Sequence, residues 1–203
     1  LERDKVLSGR QKDAIRQYVR MHTDKPEELY QIYHAMIRGE NYKAETLEVL
    51  MEEGQPVIKI AGNEIRAAFE QLKDFVQKLI LLTERTLPLG SVVEVDIREL
   101  KLETEKPVSS IKAVIVDRFM KKETEKQYVP YCGIIYPFGD SKKQLFFTEQ
   151  AIHTVIHYGY TDRQEDAYVA LIKREIIKKG YSSYSFAEAE DDKIRMLQSD
   201  INL

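Results

Sequence analysis

The chain is 203 residues long and holds one cysteine, Cys132, and no tryptophan. A single thiol excludes an internal disulfide and any zinc site built from several cysteines. Cys132 lies in an apolar run, where an inert, buried thiol is expected rather than a nucleophile. Long hydrophobic runs are also missing. Leu79–Leu82 is typical of the longest, against the roughly 20 apolar residues that a membrane-spanning helix needs; no membrane insertion is expected. Excess positive charge is absent too: 31 Lys and Arg stand against 34 Asp and Glu, a net charge of −3. Nucleic-acid binding relies on a basic patch that neutralises phosphates, so no nucleic-acid partner is expected. There is no P-loop, no dinucleotide glycine fingerprint and no nucleophile elbow. No signal-peptide pattern is seen, and the cytoplasm is the simplest location.

What remains is the composition of a folded protein, 43% hydrophobic and 32% charged. Residues 1–85 read as a helical region. One helix is expected over about Asp4–Met21. A second follows Asp24, taken as an N-cap with Pro26 in the first turn, and stops at Gly39. A third is expected over Lys43–Glu53, ending at Gly54, then a short extended link over Gln55–Ala61. Asn63 is placed as the cap of the longest helix, Glu64–Glu84, whose Ile65, Phe69, Leu72, Val76, Leu79 and Ile80 recur at helical spacing.

The period changes at Leu87-Pro88-Leu89-Gly90. Val93, Val95 and Ile97 alternate with charged residues as in a half-exposed strand. Leu100–Ser110 reads as a loop or a wide hairpin. Ile111–Val116, Tyr128–Tyr136 and Gln144–Phe147 read as further strands, rich in β-branched and aromatic residues. Helices are expected over Glu149–His157 and Asp162–Lys179, and an acidic tail over Glu188–Asp192. The expected fold class is α+β: N-terminal helices, then in residues 86–203 a small, mainly antiparallel four-stranded sheet with C-terminal helices.

Two constellations invite a chemical reading. His153 and His157 stand four apart, which on a helix would put both on one face with Glu149 a turn earlier. The spacing matches the zinc-protease HExxH motif, but Thr154 occupies the place of the general-base glutamate. A solvated or partner-facing pair is the reading the residues favour, and neither metal nor cofactor is expected. Lys179–Phe186 matches part of an RNA-recognition strand motif through Lys179, Gly180, Tyr181 and Phe186, whereas Ser182, Ser183 and Tyr184 do not fit. An aromatic cluster that packs on the sheet or on a partner explains it better.

Four segments in a fixed order carry more information: Leu87–Val93 (LPLGSVV), Tyr136–Gly139 (YPFG), the paired aromatics Phe146–Phe147, and Ile152, Val155–Ile156, Gly159–Tyr160, Asp162 and Glu165. This set resembles a small family of Gram-positive proteins encoded beside the LXG toxins of the type VII secretion system, over roughly residues 86–170. The resemblance implies a non-catalytic accessory role: a chaperone or targeting adaptor that binds a secreted toxin or its helical secretion domain. An immunity protein that neutralises the toxin domain is the alternative, and a metal enzyme using His153 and His157 a more distant one. Tyrosine pairs apolar area with a hydroxyl and suits interfaces. Tyr158, Tyr160, Tyr181 and Tyr184 are therefore the expected partner-binding anchors.

Overall fold

The computed structural model describes residues 7–96, 109–122 and 124–186. Ile97, nearly all of the expected 100–110 loop and the acidic stretch Glu188–Asp192 lie outside them. The chain divides into two compact units, Leu1–Arg85 and Thr86–Leu203.

The first unit is not helical throughout. Helices α1 (Gly9–Met21), α2 (Glu27–Arg38) and α3 (Phe69–Thr83) pack on a four-stranded antiparallel sheet, β1 (Tyr42–Lys43), β2 (Leu47–Glu52), β3 (Gln55–Ile60) and β4 (Asn63–Ile65), in that order. Ser8 opens α1 with a capping box: its hydroxyl accepts from the Gln11 amide, and the Gln11 side chain accepts from the Ser8 amide at 2.7 Å. Asp24 does not cap α2. Its backbone is left-handed (φ 63°) and its N–H donates to the Thr83 carbonyl at 2.7 Å, so the helix starts at Glu27 behind Pro26. Gly39 ends α2 in the left-handed conformation, as expected of a C-terminal glycine.

The helix expected over Lys43–Glu53 is instead β1 and β2. Leu47 and Val49 alternate into the core, and Glu53-Gly54 turns the chain back with both residues at positive φ (52° and 79°), the geometry of a two-residue hairpin turn. Ala61-Gly62 repeats this device (46° and 75°) between β3 and β4, which places Asn63 in a strand rather than at a helix cap. The unit's core joins Ile15 and Tyr18 of α1, Leu29, Ile32 and Met36 of α2, Leu47, Val49, Ile58 and Ile60 of the sheet, and Leu72, Val76, Leu79 and Ile80 of α3, all buried.

Among the described residues the second unit holds a six-stranded sheet and one α-helix, where four strands and two helices were expected. Strands β5 (Val92–Asp96), β6 (Ser110–Lys122), β7 (Gln127–Ile135), β8 (Gln144–Phe147), β9 (Ile152–His157) and β10 (Ser182–Ser183) are arranged β10-β7-β6-β5-β9, with β8 also on β7. All pairs are antiparallel except β10 with β7. Val93, Val95, Ala113, Ile115, Tyr131, Leu145 and Phe147 form the core, with the Tyr131 and Phe147 rings stacked at 5.7 Å.

The segment expected to be a helix over Glu149–His157 is a 3₁₀ turn, Glu149–Ala151, followed by edge strand β9. Its run of Ile152, Thr154, Val155 and Ile156 is β-branched and favours strand, and β5 has a free side for it. Helix α4 (Arg163–Lys179) follows, capped by Asp162, whose carboxylate accepts from the amides of Gln164 and Glu165 at 2.9 Å each.

Candidate functional site

Two of the motif segments, Leu87–Val93 and the one ending in Glu165, meet at one turn. Leu87 donates its amide to the Tyr131 hydroxyl at 3.0 Å. Gly90, at φ 79°, donates to the Ile115 carbonyl at 2.8 Å, and Ile115 donates back to the Ser91 carbonyl at 2.9 Å. The buried Ser91 hydroxyl donates to the Pro88 carbonyl at 2.7 Å and accepts the Gly159 amide at 3.0 Å. Gly159 lies flat on this turn: a Cβ there would sit 2.0 Å from the Leu89 carbonyl oxygen and 2.9 Å from the Ser91 nitrogen.

The Arg118 side chain, almost wholly buried, donates to the Leu87 carbonyl at 3.2 Å and forms a two-pronged ion pair with Glu165, in the first turn of α4. The turn before β5, strand β6, the end of β9 and the start of α4 are thus tied at one point. Leu87, Gly90, Ser91, Gly159, Asp162 and Glu165 all have structural work here.

Several apolar side chains near this knot are open to solvent, among exposed polar ones such as Asp117, His157 and Asp162. Leu89, Val116, Ile156, Tyr158 and Tyr160 are exposed, Tyr160 at 83%. Gly159 lies on Leu89 and Ser91, Val92 is in register with His157, and Val116 follows the Ile115 that bonds the turn on both sides. Leu89, Tyr158 and Tyr160 stand next to the Gly159 contact, Ile156 lies on β9 at the edge of the described sheet, and Val116 lies on β6, two strands in. This is the candidate interaction surface.

Two of the four expected anchors, Tyr158 and Tyr160, belong to it. Tyr181 and Tyr184 do not: they are only 5% and 6% exposed. The Tyr181 ring lies beneath the ammonium groups of Lys121 and Lys126, at 5.8 and 5.1 Å, and the Tyr184 hydroxyl donates to Glu125 at 3.0 Å. Both fix the chain after α4 to the β6–β7 end of the sheet, so their aromatic content serves packing.

The histidine pair is likewise taken apart by the fold. His153 and His157 are exposed on an extended edge strand, where four residues span roughly 13 Å at ideal rise. That is far beyond two ligands at about 2 Å from one zinc ion. Among the described residues no group of three or more His, Cys, Asp or Glu could hold a metal. Burial, helped by the Asp117 charge, pushes the Cys132 thiol up to about 11, which keeps it protonated at neutral pH.

Glu149, a turn before His153 in the expected helix, instead has its carboxyl turned inward. Burial of the Glu149 carboxyl pushes it up to about 7, against the opposing pull of a hydrogen bond from the Ser185 hydroxyl at 3.1 Å and the charge of the buried Lys173 on α4. Glu149 stands at the 3₁₀ turn and Ser185 in the segment after β10, so the group closes the C-terminal segment onto the sheet. Only the topology could have revealed this, because nothing in the sequence brings residues 149, 173 and 185 together.

Residues 86–168 match the model of a family described as "Domain of unknown function (DUF4176)". This stretch, which holds the knot and the surrounding apolar surface, is similar to that family. No curated protein and no solved structure matches the chain. Among the described residues no helix is long and apolar enough to cross a membrane.

Proposed function

We propose that this protein is a non-catalytic accessory protein, a chaperone or targeting adaptor that binds an LXG-type toxin in the cytoplasm for type VII secretion. The toxin and the secretion route come from the resemblance of Leu87–Val93, Tyr136–Gly139, Phe146–Phe147 and Ile152–Glu165. The observation that carries the binding role is the exposed apolar surface of Leu89, Val116, Ile156, Tyr158 and Tyr160 on a tied backbone. A rigid patch loses little entropy on docking, and tyrosines with few rotatable bonds make efficient anchors. It borders β9, which among the described residues pairs on one side only and so could offer backbone groups to a partner segment.

The test is capture of the neighbouring toxin, divided into its helical secretion domain and its toxic domain. The helical half is expected to bind. Tyr160→Ala and Tyr158→Ala are expected to weaken capture, by about 2 kcal/mol for a central anchor, which is roughly thirtyfold. Capture of the toxic half alone would make this an immunity protein. Unchanged affinity in both variants would remove the surface from the proposal.

A further inference from the structure

A second surface, in the turn between β7 and β8, has a different chemistry. Every residue from Tyr136 to Gln144 is exposed, Phe138 at 81% and Tyr136 at 56%. Two aromatics two residues apart, both exposed, make a small apolar patch rather than a single scattered side chain. The turn nevertheless has a fixed shape. Tyr136 donates its amide to the Lys112 carbonyl at 2.9 Å, and Gly139, at φ 67°, donates to the Ile135 carbonyl at 3.0 Å. Asp140 then closes the second half. Its side chain accepts from the Lys142 amide at 2.9 Å and its carbonyl from the Lys143 amide at 3.1 Å.

The charges here run against the protein as a whole. Lys142 and Lys143 flank the aromatic tip, Lys112 stands at its base in register with Glu94 of β5, and Asp140 is the one acid within the turn. With Lys112 facing Glu94, the turn itself holds two lysines against one acid, a net charge of +1 in a chain of net charge −3. A Cβ added at Gly139 would meet nothing within 4 Å.

We infer that Tyr136–Lys143 is a docking point for an anionic membrane surface. At the headgroup level, amphipathic and aromatic rings are buried in the boundary with the acyl chains, while lysines a few ångströms away meet negative lipids. A projecting Phe and Tyr between lysines match that layering. An acidic protein partner would satisfy the lysines but needs a pocket of its own for a convex aromatic. The contact is peripheral and crosses no bilayer. It does not depend on the toxin-binding reading, which uses another surface.

The experiment is co-sedimentation of the full chain with phosphatidylcholine vesicles, with and without phosphatidylserine, at low salt. Sedimentation is expected only with phosphatidylserine present, and is lost as salt rises. Lys142→Gln with Lys143→Gln is expected to weaken partition by about 25-fold, about fivefold per lysine, and Phe138→Ser by roughly tenfold. Tyr168→Ser, at an exposed tyrosine on α4, serves as the control and changes nothing. All of these positions are solvent-facing, so native thermal midpoints accompany the result. Failure to sediment, equal sedimentation with pure phosphatidylcholine, or an unchanged Phe138→Ser variant overturns the inference. So does capture of the tip by polyglutamate with vesicles ignored, which would assign it to an acidic protein. Toxin capture by the same tip variants stays normal under either outcome, which keeps the two proposals separate.

Discussion

Gly159 shows how a single missing side chain closes the second unit. Its amide reaches the Ser91 hydroxyl because nothing stands between the two backbones, and a methyl group there would lie 2.0 Å from the Leu89 carbonyl oxygen. Gly159→Ala must therefore force the end of β9 away from the turn before β5. The expected cost is about 3 kcal/mol or more, read as a lower urea midpoint, and a near-native midpoint would show that the contact yields cheaply. Arg118 acts at the same point by charge. Its guanidinium is buried and bonded to Glu165 and to the Leu87 carbonyl, so Glu165→Ala leaves a buried cation with half its partners. That is expected to cost about 3 kcal/mol, whereas Arg118→Met combined with Glu165→Leu is expected to cost less than the single change. Additive losses in the double-mutant cycle would deny the coupling.

At the level of elements, β9 explains why the sequence misleads. Ile152 and Val155 both reach the core although three residues apart, because the β5–β9 pairing slips between Val92 and Val93 and again between Glu94 and Val95. Each slip adds an unmatched residue on β9, so a bulged strand shows the three-and-four spacing of a helix. The β2–β3 hairpin was hidden differently. Its turn uses Glu53-Gly54 in place of the usual Asn-Gly, and Leu47 and Leu50 happen to lie at helical spacing. Strands β7 and β8, helix α4 and the break at Leu87–Gly90 were legible because period, β-branched content and caps agreed there. Tyr158 and Tyr160 were recognised as exposed, but Tyr181 and Tyr184 were not recognised as buried, since burial depends on where β10 lands.

The Glu149–Ser185 closure makes its own prediction. The folded carboxyl holds its proton up to about pH 7, above its ordinary value of 4.5, so the folded state binds more protons than the unfolded one between those values. Stability from this group is greatest below about pH 4.5 and is lost as pH rises through about 7. Urea midpoints at pH 5 and pH 8 for the protein and for Glu149→Gln are expected to show this slope only in the former. Equal slopes would mean that Lys173 fully compensates the carboxylate. His153→Ala with His157→Ala is expected to leave the midpoint unchanged, because both rings lie on the solvent side of an edge strand. Stoichiometric zinc lost in that variant would contradict the separation the strand imposes.

For the whole molecule, two independently cored units bear two unlike surfaces, both on the second: an apolar one around the Leu89 turn and an aromatic, cationic one at Phe138. On the proposed reading, the first holds the toxin and the second approaches the membrane from which export proceeds. The consequence is genetic. Deleting the gene is expected to stop export of the neighbouring LXG toxin while leaving the cell's resistance to that toxin unchanged, because an adaptor acts on delivery and not on the toxic activity. Complementation with Tyr158→Ala and Tyr160→Ala together is expected to fail, and with Gln at both Lys142 and Lys143 to restore export only in part. Normal export combined with new sensitivity to the toxin would reverse the conclusion: the apolar surface would then cover the toxic domain, and the protein would protect its producer rather than serve its secretion.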